Sequence, residues 1–169
     1  MKHNLWGGLS VLLFILILLP VVEVNAQTPP EFDTVTVALW PEFDQPDTLV
    51  MYRARLSATT QLPAQLTFSL PAYVKEMHAV AIVSNGQLIN VEPDAITMEP
   101  NGDSMLLSFP TTSPNVQFEY YDPFILSKEN QDRNLTFNFT APANTATANF
   151  EVQQPFGAQD FATTPAAIS

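Results

Sequence analysis

The segments TVTVALW (34–40) and TLVMYRARLS (48–57) decide the fold of this 169-residue chain. In both segments every second residue is apolar. Successive side chains of a strand point to opposite faces of a sheet, so a period of two is typical of strands with one buried face. The residues predicted to point inward are Val35, Val37 and Leu39 in the first segment and Val50, Tyr52, Ala54 and Leu56 in the second.

Short segments with the same alternation, or apolar throughout, follow along the chain. They are QLTFSLP (65–71), MHAVAIVS (77–84), QLINVE (87–92), AITME (95–99), SMLLSFP (104–110), NVQFEYYD (115–122), NLTFNFT (134–140) and ANFEVQQ (148–154). Turn residues separate them: Asn85-Gly86 and Asn101-Gly102 are typical of tight hairpin turns, and most of the 15 prolines fall between segments.

Many short strands without intervening helices predict an all-β fold. We expect an antiparallel β-sandwich, Ig-like or jelly-roll-like, of about nine or ten strands. A closed barrel is the alternative, because alternation does not distinguish the two. MHAVAIVS, apolar on both faces, is predicted as a central strand, and FILSKENQDRN (124–134) as one short helical turn or a long loop.

The N-terminus predicts export. Residues 1–26 combine a basic start at Lys2, the apolar run VLLFILILLPVV (11–22) and small residues before a cleavage site between Ala26 and Gln27. An uncleaved signal anchor is the alternative, and would be the chain's membrane segment. Both place the rest of the chain outside the cytoplasm, in the extracellular space, envelope or periplasm.

The remainder is predicted to have three parts. Residues 27–33 are a polar leader, 34–156 the sandwich domain, and 157–169 a tail or the start of a linker.

Composition and charge argue against several classes of function. The net charge of −11 repels nucleic acid and anionic membrane surfaces. With no cysteine there is no disulfide framework, and His78, after the signal, is the one remaining histidine, in an apolar strand. A usual zinc site, a Ser-His-Asp triad and a phosphate-binding loop are therefore not expected, and we predict neither an enzyme nor a required cofactor.

Aromatic residues near strand ends are the candidate ligand-binding groups, because exposed rings stack on sugars and anchor protein contacts. The candidates are Trp40, Tyr73, Tyr121 and Phe124. The alternative is structural: Trp40 and Phe43 close the end of the sandwich, and Tyr121 packs under a loop.

Acidic residues in predicted loops are candidate calcium ligands, because calcium prefers hard oxygen donors. The candidates are Asp44, Asp47, Asp122 and Asp132. No EF-hand-like run is present. Paired acids such as Glu42 with Asp44, or Glu119 with Asp122, would also suit a glycoside hydrolase, but solvated surface carboxylates are the default interpretation.

Three stretches, 38–56, 114–123 and 150–161, resemble exported β-sandwich proteins of environmental bacteria to which no function is assigned. Their shared motif, of the form W-P-E-[FY]-D-x-P, is here WPEFDQP (40–46). The resemblance implies a β-sandwich and no particular activity. In architecture the chain is also similar to accessory β-domains of secreted enzymes, including carbohydrate-binding and carboxypeptidase-regulatory-like modules.

The first hypothesis is therefore a non-catalytic exported module with a structural or interaction role in the cell envelope, where its partner would be an envelope protein or a glycan. The second is a carbohydrate-binding module, which predicts at least two exposed, coplanar rings on one face. A glycoside hydrolase is a remote third.

Overall fold

The structure, a computed structural model, describes residues 28–168, and over these the chain is all-β. The predicted signal peptide, residues 1–26, lies outside the described residues. The strands are β1 (Phe32–Pro41), β2 (Thr48–Leu56), β3 (Ala64–Pro71), β4 (Ala79–Ser84), β5 (Gln87–Asn90), β6 (Thr97–Asn101), β7 (Ser104–Thr111), β8 (Asn115–Asp122), β9 (Leu126–Glu129), β10 (Asp132–Leu135) and β11 (Thr145–Val152). One short 3₁₀ turn, Pro93–Ala95, precedes β6. No helix within residues 28–168 is long and apolar enough to span a membrane.

Two open sheets form the sandwich. The larger has the order β11-β1-β2-β8-β4-β5 and the smaller the order β3-β7-β6, while β9 and β10 make a separate hairpin. Because β11 and β5 end the larger sheet as edges, the sandwich is the fold and the closed barrel is not.

The core lies between the facing sheets and is built from the alternation read in the sequence. In β1 and β2 the residues predicted to point inward are all buried. Aromatic rings fill its centre: Phe68 on β3 contacts Tyr52 on β2 and Phe118 on β8, so both sheets meet around it. Burial of such rings is the main stabilising contribution in a chain without disulfides.

The Asn85-Gly86 turn joins β4 to β5 as predicted. Both residues have positive φ, 51° and 76°, which is the requirement of the two-residue turn that suits the right-handed twist of a hairpin. Glycine adopts this conformation without steric cost, whereas asparagine tolerates it better than most residues.

Three predictions about elements were wrong. Residues 124–134 do not form a helical turn or a long loop but contain most of the β9–β10 hairpin, which turns at Asn130 with φ 56°. The segment 134–140 is a strand only as far as Leu135. The first strand, β1, starts at Phe32, inside the predicted leader, because the Phe32 ring is buried in the core.

The sandwich is also not wholly antiparallel. The strand β11 runs parallel to β1 at the sheet edge, from Phe32 opposite Thr145 to Leu39 opposite Val152. A parallel neighbour requires a long connection, and here the chain returns to that edge through residues 136–144 after the hairpin.

Candidate functional site

One end of the sandwich gathers nearly all the residues singled out in the sequence. It consists of the loops 42–47, 72–78 and 123–125 and the β9–β10 hairpin, and we call it the loop end. It receives the last residues of β1, β3 and β8, so the strand-end aromatic and acidic residues converge there. Trp40, Tyr73, Tyr121 and Phe124 all lie in it, as do Asp44, Asp47, Asp122 and Asp132.

Asp122 is the centre of the loop end on the inner side of the sheet. Its side chain is fully buried. One carboxylate oxygen accepts the Tyr73 hydroxyl at 2.6 Å, and the other accepts the backbone N–H groups of Phe124 at 2.9 Å and Ile125 at 3.2 Å. Asp122 thereby fastens the 123–125 loop and the segment after β3 to the end of β8, and its role is that of a buried loop anchor.

Tyrosines surround this carboxylate. Burial raises the pKa of Tyr120, and the neighbouring Tyr52 and Asp122 raise it further. Burial also raises the pKa of Tyr73, to which the hydrogen bond donated to Asp122 adds. Burial likewise raises the pKa of Tyr52. These phenols stay protonated at neutral pH, so they are hydrogen-bond donors rather than bases.

Glu42 anchors the hairpin to the 42–47 loop. Its carboxylate accepts hydrogen bonds from Lys128 Nζ and Arg133 Nε, both at 2.9 Å. These contacts hold the pKa of Glu42 below its ordinary value, and the hydrogen bond from Lys128 contributes most to the shift. Lys128 also donates to the Pro46 carbonyl at 2.8 Å. The hairpin and the loop are therefore one connected unit.

On the outer face of the larger sheet, Trp40 and Tyr121 pack against a small second cluster containing Leu49. Leu49 lies opposite both of them in the sheet register. The Tyr121 hydroxyl donates to Asp44 Oδ2 at 2.8 Å, so this ring lies under the 42–47 loop. The raised pKa of Tyr121 follows first from that hydrogen bond.

The four candidate rings therefore form two groups, Phe124 with Tyr73 and Trp40 with Tyr121. Phe124 and Tyr73 are 69% and 41% exposed and meet edge to face, with centroids 4.8 Å apart and planes inclined by 72°. Trp40 is half-buried and contacts Phe43, itself 52% exposed, at 4.8 Å and 58°. None of the four is fully buried, and the two exposed candidate rings, Phe124 and Tyr73, are not coplanar.

The four candidate calcium ligands are not brought together. Tyr121 and Asp122 are adjacent in β8 and point to opposite faces, so Asp44, bound to Tyr121, lies on the outer side while Asp122 points inward. Asp132 is exposed at the start of β10. No group of three or more His, Cys, Asp or Glu side chains in the described part of the chain is placed to hold a metal ion.

Sequence reasoning missed several residues of the loop end. Lys128 and Arg133 are the cationic partners of Glu42, which the sequence suggests only as one of a pair of acids, whereas Thr48 and Tyr120 are buried beside Asp122. A polar residue at an inward position of an alternating strand, as Thr48 is in β2, is the signal that would have pointed to this cluster.

Two shallow hollows lie at the other end of the sandwich, and Glu31 lines both of them. No protein-family model matches this chain, and no curated protein matches its sequence.

Proposed function

We propose that this chain is an exported, non-catalytic β-sandwich module that contacts a cell-envelope partner through its loop end. The observation that carries the proposal is that polar and apolar side chains of the loop end have different surroundings. The carboxylates at its centre are engaged in fastening loops, while apolar rings on those same loops face solvent.

The polar groups support a binding role over a chemical one. Asp122 accepts hydrogen bonds from a tyrosine and two amides, and Glu42 from two cationic side chains. Asp44 holds Tyr121. Groups committed in this way stabilise the loop conformations, and a general acid or base would instead need an open path to a substrate.

The exposed rings support a contact surface. Phe43 and Phe124 project from loops that are already fastened, so their ordering on binding costs little. Aromatic side chains surrounded by polar groups are the usual centres of binding energy in protein interfaces. The acidic surroundings favour a partner surface with apolar and basic groups.

Export is tested by the N-terminus of the mature protein. The full chain is expressed in a bacterial host and the extracytoplasmic fraction is sequenced from its N-terminus. The proposal expects Gln27 as the first residue. Protein recovered only from the cytoplasm, starting at Met1, would refute export.

The binding role is tested by fractionation. The Phe43→Ser, Phe124→Ser double variant is expected to shift from the envelope fraction to the soluble fraction, since it removes both rings and leaves the loop anchors in place. The matched control is Leu88→Ser on β5, because Leu88 is 54% exposed but lies at a sheet edge. Equal retention of all three proteins, or loss of the control alone, contradicts the proposal.

Carbohydrate binding is the second candidate, and the exposed Phe124 ring beside Tyr73 favours it. Because the two planes are inclined by 72°, one ring at most lies flat against a sugar, which predicts weak binding to a single residue of a glycan. A glycan array of the exported protein tests this, with Phe124→Ala expected to abolish any signal. An array without signal for the native protein removes this candidate and leaves the first.

A further inference from the structure

Two buried hydroxyl groups beside Asp122 have no protein partner. Thr48 and Tyr120 are 0% and 1% exposed, and neither Thr48 Oγ1 nor Tyr120 Oη makes a hydrogen bond to any described residue. The Tyr52 and Tyr120 hydroxyls lie close enough that each shifts the other's pKa in the manner of a hydrogen-bond partner, but the pair does not meet the distance and angle of a formed hydrogen bond. A buried hydroxyl without a partner is costly, so both call for an explanation.

The sheet register brings these groups to one place. Thr48 lies directly opposite Asp122 in the β2–β8 pair, and both side chains point inward because they share faces with Val50 and Tyr120. Directly opposite Cβ atoms are about 5 Å apart. Tyr120 precedes Asp122 by two residues on the same inward face of β8, and the charge of Asp122 contributes to the raised pKa of Tyr120.

Asp122 has one acceptor position left. A carboxylate offers about four lone-pair sites. The oxygen that accepts the two loop amides is fully used, whereas the oxygen that accepts Tyr73 has one further site. The cluster therefore contains two free donors and one free acceptor.

We propose that a buried water molecule binds here, accepting hydrogen bonds from Thr48 Oγ1 and Tyr120 Oη and donating one to Asp122 Oδ2. A water has two donor and two acceptor positions, so it satisfies all three groups and keeps one donor to spare. One water also spans the separation of a directly opposed threonine and carboxylate. The water joins β2 and β8 to the anchor of the 123–125 loop.

A calcium ion does not suit the same place. Calcium takes about six to eight oxygen ligands, several of them charged, while this cluster has one carboxylate that already accepts three hydrogen bonds. The two hydroxyl donors also favour a neutral molecule that can accept hydrogen bonds. This water site does not depend on whether the loop end binds a partner.

Substitutions that remove one hydroxyl and keep the shape of the side chain distinguish a bound water from unpaired hydroxyls. If a water links the groups, Thr48→Val and Tyr120→Phe each lower the midpoint of thermal unfolding, by roughly 3 °C, and the double variant loses less than the sum. If the hydroxyls are unpaired, removing either one leaves the midpoint unchanged or raises it, and that result overturns the proposal. Thr36→Val, on the outer face of β1, is the control and is expected to be neutral.

A high-resolution crystal structure of the native exported protein gives the second, independent measurement. The proposal expects an ordered water within hydrogen-bond distance of Thr48 Oγ1, Tyr120 Oη and Asp122 Oδ2. A metal ion at this place, or hydroxyls turned onto protein carbonyls with no water between them, would contradict it even if the variants unfold too readily to be compared.

Discussion

At the scale of single residues, the loop end depends on tyrosines that donate to carboxylates of distant segments. Tyr73 donates to Asp122 and Tyr121 donates to Asp44, and each contact ties a loop to the end of a strand. A phenol donor bonded to a carboxylate is a strong, charge-assisted hydrogen bond. These contacts hold the loops that carry the exposed rings in position.

Removing the Asp44 carboxylate should therefore lower the pKa of Tyr121 towards its ordinary value of 10.0. In a spectrophotometric titration, Asp44→Ala is expected to bring the ionisation of one tyrosine to lower pH, while burial keeps Tyr52 and Tyr120 protonated over the same range. Asp47→Ala, in the same loop, is the control. An unchanged titration curve for Asp44→Ala would show that the contact does not persist in solution.

The sequence predicted which residues would be near the ends of strands, and little about how they pair. Trp40, Tyr73 and Tyr121 were found because aromatic residues at strand ends are conspicuous in an alternating pattern. The pairing of Tyr73 with Asp122 depends on the registers of two sheets and on the path of a loop, which no local pattern contains. Calcium ligands were predicted from acidity alone, and acidity does not say which face of a sheet a carboxylate occupies.

At the scale of elements, the strands of the two sheets were predictable because each has one buried face. The β9–β10 hairpin was not, since its residues are exposed on both sides after Leu126 and show no alternation. The parallel β11 was predicted as a strand but not as the neighbour of β1, because direction and partner are properties of the sheet. Its residues are mostly exposed, so the pattern there is weak.

The ion pairs of Glu42 make hairpin stability dependent on pH. Because the folded pKa lies below the ordinary value of 4.5, the stabilising contribution is present above pH 4.5 and is lost as pH falls through the folded pKa. Glu42→Gln is expected to be less stable than the native protein at neutral pH, and the difference should narrow in acid below pH 4.5. Urea unfolding followed across this pH range measures it.

Glu129→Gln serves as the control for Glu42→Gln, since Glu129 is exposed on the same hairpin. The free energy of unfolding of Glu129→Gln should change with pH in the same way as that of the native protein. A gap between Glu42→Gln and the native protein that stays constant from neutral pH into acid would contradict the assigned role.

At the scale of the whole molecule, one aromatic cluster holds the two sheets together. Phe68 contacts Phe32, Tyr52, Phe109 and Phe118, which belong to both sheets. Truncating such a fully buried ring removes apolar burial and leaves a cavity.

Phe68→Ala is accordingly expected to reduce the free energy of unfolding by about 3–5 kcal/mol. Phe156→Ala, which truncates a fully exposed ring after β11, should leave the free energy of unfolding unchanged. Urea denaturation of both variants makes the comparison, and a loss below about 1 kcal/mol for Phe68→Ala would mean that the sheets do not pack around this ring.

The central claim is that the loop end is the surface by which this sandwich meets its envelope partner. Site-specific photocrosslinking in living cells tests it most directly, with a photoreactive phenylalanine at position 124 and, as the control, at position 88. The account predicts a discrete crosslinked adduct from position 124 and none from position 88. Adducts of equal yield from both positions, or from position 88 alone, would contradict it.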